Sequence, residues 1–323
     1  MIRWDRAAPL VAALGLLLPS SSGSAVAVLH RHPMTDDTSR EELFQLKLSP
    51  SKRSSDQNYQ LYLNFEFPRD AAYDNRILHT PRTGELFGID ASHYNQDSCK
   101  CLPGCRIDWA SLASQQVYFV YLKATQGADG YDCRFYENWD ALKALPQASR
   151  PRAGAYHFLS SLTGGGAQAH NFLDYVKGRV GADDLPPVMD LEWDVRSGDK
   201  AKHDRWLDVP KDRRIQIALD WLGAVERATH RKPIIYTAQH WWDPMVRGGA
   251  KYDALAAYPL WVASATQDPL PKEVAPAPKG VVAGLWQFTN RASFSMGTAG
   301  HFDASMFKGT PEAFAREFGS TTR

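Results

Sequence analysis

Two carboxylates end a short apolar run in the middle of the chain. Asp190 and Glu192 follow the apolar residues 186–189, and this pattern predicts a buried β-strand over 187–192. Because strand side chains alternate, both acids point to one face and lie roughly 6.6 Å apart along the strand. An isolated Asp-x-Glu is usually exposed to solvent, but the end of a buried strand is where parallel sheets carry their chemistry. Two such carboxylates are suited to glycoside hydrolysis.

Polar residues also end several other apolar runs. Asp90, Lys123, Gln287 and Asp303 are the candidates that would meet the two acids at one face of a barrel. His157 ends a further run, but a histidine there is more often a buried structural residue than a catalyst.

Four aromatic residues near strand ends are candidate stacking surfaces for sugar rings: Tyr156, Tyr236, Trp261 and Trp286. Each is about as often a core residue as a ligand contact, because tyrosine and tryptophan in strands are commonly buried.

The elements that position these residues alternate between β-type and amphipathic runs. Strands are predicted over 86–91, 117–124, 153–159, 187–192, 233–238, 260–264, 284–289 and 301–306. Helices are predicted over 108–115, 135–145, 167–180 and 213–229, with a last helix over 311–318. Eight strands, of which the first five are followed by helices, indicate an α/β, TIM-like barrel that is regular early and abbreviated late.

The N-terminus has the layout of a secretory signal. Arg3 and Arg6 precede an apolar stretch over 7–18, and small residues end at Ala27. We therefore predict a signal peptide over 1–27, cleaved near Ala27, and a secreted or periplasmic protein with no stable membrane span, since about 20 apolar residues are needed to cross a bilayer. Residues 28–85 are polar and irregular and form an N-terminal extension with one predicted strand over 59–65; the catalytic barrel would occupy 86–323.

Composition excludes several classes of ligand. The 323 residues carry a net charge of +1, which gives no reason to expect nucleic acid. Gly164 to Gly166 lack the Lys-Ser/Thr of a phosphate-binding loop, so no cofactor is expected. The four cysteines, Cys99, Cys101, Cys105 and Cys133, form an even set that favours disulfides in an oxidising compartment, with three pairings open. A zinc site is disfavoured because the Cys-x2-Cys pair is missing, and no metal is expected.

Six ordered motifs resemble the glycoside hydrolase family 25 lysozymes, which are muramidases of the Chalaropsis type. The motifs are GIDASHY at 88–94, IDW at 107–109, YLKATQG at 121–127, AGAYHF at 153–158, DLE at 190–192 and LWQF at 285–288. The resemblance covers roughly 87–319. It implies a (β/α)5(β)3 barrel and hydrolysis of the β-1,4 bond between N-acetylmuramic acid and N-acetylglucosamine in the glycan strands of peptidoglycan.

The resemblance also implies roles for the acids. The family's general acid falls on Glu192 and its partner carboxylate on Asp190, while Asp90 and Asp303 match two further acids. A general acid must hold its proton near neutral pH, and burial beside negative charge raises a carboxyl pKa. The spacing leaves open whether Asp190 acts as a nucleophile, as a base, or by orienting the 2-acetamido group of the substrate.

The chain departs from the family pattern in two places. Gln126 stands where the family usually has glutamate. Residues 97–105 form an insert that holds three of the four cysteines. We expect one disulfide to tie this insert to the Cys133 loop and another to close a ring within it, which would form a rim beside the cleft. Such a rim would either restrict which glycans enter or contact a regulatory partner.

The sequence is also compatible with two other functions. A chitinase-like hydrolase of N-acetylglucosamine polymers also uses an Asp-x-Glu strand end in a barrel. A cell-wall-binding protein that kept the fold and lost turnover is the alternative without catalysis, against which the four acids argue.

Overall fold

Eight strands close into one barrel at the centre of the protein. The computed structural model describes residues 31–34, 64–74, 80–96, 101–102, 104–264, 277–278, 281 and 283–319. The barrel strands are β1 (Glu85–Ala91), β2 (Phe119–Gln126), β3 (Arg152–Phe158), β4 (Val188–Asp190), β5 (Ile234–Ala238), β6 (Leu260–Ala263), β7 (Ala283–Phe294) and β8 (Phe302–Lys308). Each strand corresponds to one of the eight apolar runs in the sequence.

The strand directions bring the ends of the barrel strands to one rim. Strands β1 to β7 are parallel to their neighbours, and β8 is antiparallel to both β7 and β1. Because β8 runs the other way, its first residues lie at the rim where β1 ends. Asp303 on β8 is therefore the register partner of Asp90 on β1.

Each of the first five strands is followed by a helix. The helices are α1 (Trp109–Ala113), α2 (Phe135–Lys143), α3 (Gly165–Val176), α4 (Lys211–Thr229), α5 (Gln239–Val246), α6 (Tyr252–Ala256) and α7 (Pro311–Phe318), with 3-10 turns at His93–Gln96 and Arg205–Asp208. Asp108 caps α1, since its carboxylate accepts from the Ser111 backbone N–H at 3.0 Å. This order confirms the predicted (β/α)5(β)3 barrel.

Several boundaries differ from the sequence prediction. Strand β4 ends at Asp190 rather than at residue 192, although the Leu191 backbone N–H still donates to the Tyr236 carbonyl at 2.8 Å. Helix α3 ends at Val176 rather than at residue 180, because Gly178 adopts a positive φ of 78° that a continuing helix does not allow.

The described parts of the N-terminal extension join the barrel. The strand His32–Pro33 pairs with the strand Gly130–Tyr131, and the strand Phe65–Phe67 pairs with Ala292 to Phe294 of β7. Phe65 and Phe67 are buried and contact the rings of phenylalanines on β1 and β7. A short helix, Arg69–Ala72, and the strand pair Tyr73–Asp74 and Thr80–Pro81 complete this region. The strand predicted over 59–65 lies mostly outside the described residues.

Aromatic side chains fill the barrel interior beneath the rim. Tyr121 on β2 and Trp261 on β6 are both buried, with ring centroids 5.1 Å apart. Gly154 on β3 makes room for Tyr121, because a Cβ at that position would lie 2.2 Å from the tyrosine ring. These rings form a solid floor on which the polar residues of the rim rest.

Candidate active site

Four carboxylates line one pocket at the rim where the parallel strands end. Asp90 is the penultimate residue of β1, Asp190 is the last residue of β4, Glu192 follows two residues later, and Asp303 is the second residue of β8. All four are buried, with at most 8% of each residue exposed. We call this site the acid pocket. Glu192 reaches it from just beyond the end of β4, while Leu191 between the two acids is buried in the core.

A chain of hydrogen bonds positions Asp90. The Tyr236 hydroxyl donates to Gln287 Oε1 at 2.7 Å, and Gln287 Nε2 donates to Asp90 Oδ2 at 2.8 Å. Because all three residues are buried, each bond restricts the next one in the chain. The predicted site residue Gln287 thus contacts an acid of the pocket directly.

The surroundings of the acids are poorly solvated and negatively charged. Burial raises the pKa of the Tyr236 hydroxyl well above its usual value, and the charges of Glu192, Asp190, Asp90 and Asp303 raise it further. The pKa of Tyr156 is also raised well above its usual value, first by burial and then by nearby aspartates. Both phenols therefore stay protonated and can donate hydrogen bonds throughout the range in which carboxylates titrate.

Lys123 brings positive charge to the acid pocket. Its side chain is buried in the second half of β2, and Nζ lies 5.0 Å from the centroid of the Phe158 ring. Nζ also donates to Gln126 Oε1 at 2.9 Å. Gln126, which departs from the family pattern, is thus a direct partner of Lys123. Because its side chain is a neutral amide, residue 126 does not neutralise the charge of the lysine.

Three of the four predicted aromatic residues line the acid pocket. They are Tyr156, Tyr236 and Trp261. Trp286 is not among the lining residues: its indole N–H donates to the Ser264 carbonyl at 2.9 Å, and its ring contacts that of Phe288. Gln287, the next residue on β7, points into the pocket instead, as strand alternation requires.

Sequence reasoning missed the turn that forms one wall of the pocket. Ser92, Tyr94 and Asn95 line it, as do Phe158 and Val188. Ser92, Tyr94 and Asn95 come shortly after Asp90 in the sequence. Their position in the loop after β1 could have identified them as pocket residues.

A buried hydrogen-bonded pair, His93 and Asp132, holds this turn in place. Asp132 accepts from the His93 backbone N–H at 3.0 Å and lies 2.8 Å from His93 Nδ1. Both side chains are almost fully buried. Nothing in the local sequence pairs these two positions, which are 39 residues apart.

His157 lies outside the acid pocket. Its Nδ1 is 2.7 Å from Thr125 Oγ1, its Nε2 is 3.2 Å from Gln168 Oε1, and its ring stacks on Trp221. Burial lowers its pKa to about 3, so the ring is neutral and serves as a structural core residue.

The cysteine-rich insert is tied to the barrel as expected. Cys101 and Cys133 form a disulfide, which confirms the predicted link between the insert and the loop after β2. The Arg134 guanidinium donates to the Leu102 carbonyl and strengthens the same link. Cys105 is also disulfide-bonded, and Cys99 lies outside the described residues.

The described residues show neither a membrane span nor a metal cluster. Within these ranges no helix is long and apolar enough to cross a bilayer. The same part of the chain brings no three His, Cys, Asp or Glu side chains together in an arrangement that could hold a metal ion.

Comparison with known proteins identifies the family. Residues 89–296 match the model of glycosyl hydrolases family 25. Lysozyme M1 of Streptomyces globisporus is 26% identical over 200 residues, which cover 60% of this chain and 59% of that protein. YegX, an uncharacterised protein of Escherichia coli strain K12, is 28% identical over 240 residues, which cover 73% and 74% of the two chains.

A solved structure agrees with these matches. The lysozyme of Streptomyces coelicolor superposes with a TM-score of 0.55 at 26% identity, covering 72% of this chain and 96% of that one. The family match spans more than half of the chain, and it includes three of the four acids of the pocket. The chain therefore belongs to glycosyl hydrolases family 25 and is a glycoside hydrolase.

Proposed function

We propose that the protein is an exported muramidase that cleaves the β-1,4 bond between N-acetylmuramic acid and N-acetylglucosamine in peptidoglycan. The observation that carries this proposal is the acid pocket, in which four buried carboxylates and three aromatic side chains converge at the rim of the barrel. Carboxylates supply acid catalysis and charge stabilisation, and aromatic faces stack on sugar rings.

In this proposal Glu192 is the general acid. It is the most buried of the four acids, with 2% exposed, and burial beside other carboxylates favours the protonated form of an acid. Its proton passes to the glycosidic oxygen as the bond to the leaving sugar breaks. Asp190 then stabilises the positive charge that develops on the remaining sugar ring, or orients the acetamido group that does so.

The other two acids supply further negative charge around the reacting sugar. Asp90 is fixed by Gln287 and pairs in register with Asp303 across β1 and β8. Both carboxylates therefore sit on strands rather than on loops, and strands hold side chains in place with little freedom. This rigidity suits charges that must already be oriented when the transition state forms.

The names of the relatives support peptidoglycan as the substrate. Lysozyme M1 of Streptomyces globisporus and the Streptomyces coelicolor lysozyme are both named for that activity. Such a substrate lies outside the cell membrane, in keeping with the signal-peptide pattern of residues 1–27, which lie outside the described residues.

Product analysis tests the proposed reaction. We would incubate the mature protein separately with purified peptidoglycan and with chitin oligomers and identify the soluble products by mass spectrometry. Disaccharide-peptide fragments that end in reducing N-acetylmuramic acid, with chitin intact, are expected. Reducing N-acetylglucosamine ends or chitin cleavage would instead indicate the chitinase-like reaction. Retention on peptidoglycan without any fragments would indicate a binding protein.

A further inference from the structure

A second cavity adjoins the acid pocket. We call it the insert groove. It is lined by Tyr94, Asn95 and Gln96 from the turn after β1, by Gly104, Cys105 and Arg106 from the insert, and by residues 297–301 from the turn between β7 and β8. Tyr94 and Asn95 line both cavities, so the groove continues directly from the site where the sugar chain would be cut.

Hydrogen bonds hold both walls of the insert groove to its floor. Gln96 Nε2 donates to the Cys105 carbonyl of the insert at 2.8 Å. On the other side, Asn95 Nδ2 donates to the His301 carbonyl at 3.1 Å. The insert wall is thus bonded to Gln96 and the 297–301 wall to Asn95, which are neighbouring residues of the turn after β1. The groove is therefore formed before any ligand arrives, which lowers the entropic cost of binding.

The charge of the insert groove is opposite to that of the acid pocket. Among the described residues that line it, none has a carboxylate side chain, whereas Arg106 and His301 are basic. The Arg106 side chain is 82% exposed, and Nε lies 2.8 Å from Glu137 Oε1. Glu137 also accepts from Arg134 at 2.5 Å, so one carboxylate is shared by two guanidinium groups. The groove therefore favours an anionic ligand.

Part of the groove wall comes from the cysteine-rich insert that departs from the family pattern. Gly104 and Cys105 belong to this insert, and Arg106 directly follows it. An additional substrate contact at this place would distinguish this enzyme from relatives that lack the insert.

We propose that the insert groove binds the acidic peptide stem that peptidoglycan carries on N-acetylmuramic acid, with Arg106 contacting a stem carboxylate. This inference rests on the proposed function, because it takes the sugar in the acid pocket to be the one that carries the stem. The stem leaves the sugar through its lactyl group and bears free carboxylates, whereas the glycan backbone has no other anionic group. An adjoining cationic groove matches that chemistry.

Paired substrates test this proposal. Initial rates would be measured on intact peptidoglycan and on the same glycan after an amidase has removed the stems. Arg106→Gln should raise KM about two- to fivefold on the intact substrate, the range expected for an exposed ionic contact, and leave KM unchanged on the stripped glycan. Arg179→Gln is the control: Arg179 is a partly exposed arginine paired with Asp140 beyond the end of α3, at the opposite end of the barrel, and its loss should change neither KM.

Two results would overturn the proposal. An equal rise of KM on both substrates would mean that the groove holds sugar rather than peptide. No change on either substrate would mean that Arg106 contacts no part of the substrate.

A binding experiment separates this proposal from the proposed function. Stem peptides released by the amidase would be titrated calorimetrically into the Glu192→Gln protein, with and without Arg106→Gln. Binding that weakens when Arg106 is replaced supports the groove even if no glycan is cleaved. Absence of binding to either protein, together with equal rates on stripped and intact glycan, rejects the groove while leaving the muramidase activity standing.

Discussion

His157 should make the protein less stable as the pH falls, and replacing it with glutamine should remove that effect. The ring is fully buried among Thr125, Gln168 and Trp221, and burial lowers its pKa to about 3. In the unfolded chain the same ring titrates near 6.5. Between these two values the unfolded chain binds a proton that the folded protein does not.

This difference in proton binding determines how the free energy of unfolding changes with pH. Because the folded-state pKa of His157 is lowered, protonation favours the unfolded state as the pH falls below about 6.5. The resulting loss in the free energy of unfolding stops growing near pH 3, where the folded protein also binds the proton. The free energy of unfolding should fall by about 1.4 kcal/mol for each pH unit well inside this window. Between pH 7 and pH 5 the contribution of this one residue is about 2 kcal/mol.

Urea unfolding followed by tryptophan fluorescence measures this contribution. The wild type should lose about 2 kcal/mol more than His157→Gln between pH 7 and pH 5. His203→Gln is the control, because His203 is exposed and its hydrogen bond to Asp208 raises its pKa rather than lowering it. Removing His203 should not reduce the pH dependence. Equal losses in the wild type and in His157→Gln would refute the assignment of His157 as a buried neutral residue.

Two further predictions concern the acid pocket. Tyr236→Phe removes the hydroxyl that donates to Gln287, so it should lower the free energy of unfolding by about 1 kcal/mol and lower kcat/KM about tenfold. Urea titration measures the first effect and cleavage rates measure the second. An unchanged kcat/KM would contradict the role of Tyr236 in positioning Gln287 and Asp90. Gln126→Glu sets a carboxylate beside the Lys123 ammonium and should shift the pH-rate profile to higher pH, because added negative charge raises the pKa of nearby acids. A profile that stays in place would show that residue 126 does not act on the acids electrostatically.

The barrel and its acids were predictable because they depend on local patterns. Apolar runs of strand length, each ended by a polar residue, identify both the strands and the rim where Asp90, Lys123 and Asp190 lie. The antiparallel direction of β8 was not predictable, since it depends on which neighbours close the barrel. That direction is what brings Asp303, at the start of its strand, beside Asp90 at the end of another.

Strand alternation carried information that the sequence prediction did not fully use. Trp286 and Gln287 are adjacent on β7, so one of them at most can face the acid pocket, and the structure places Gln287 there. Tyr156 and His157 are adjacent on β3 in the same way, with the tyrosine facing the pocket and the histidine facing the helices. Long-range contacts, such as the His93 pair with Asp132, have no comparable local signal.

Replacement of Glu192 tests whether this residue is the general acid of a muramidase. The rate at which reducing ends are released from peptidoglycan would be compared among the wild type, Glu192→Gln and Glu226→Gln. Glu226 lies in the last turn of α4 and accepts from the Tyr258 hydroxyl, away from the acid pocket. Loss of the general acid predicts a rate about 10²- to 10⁴-fold lower for Glu192→Gln, with binding to peptidoglycan retained and Glu226→Gln unaffected. A Glu192→Gln protein that cleaves at the wild-type rate would contradict the account.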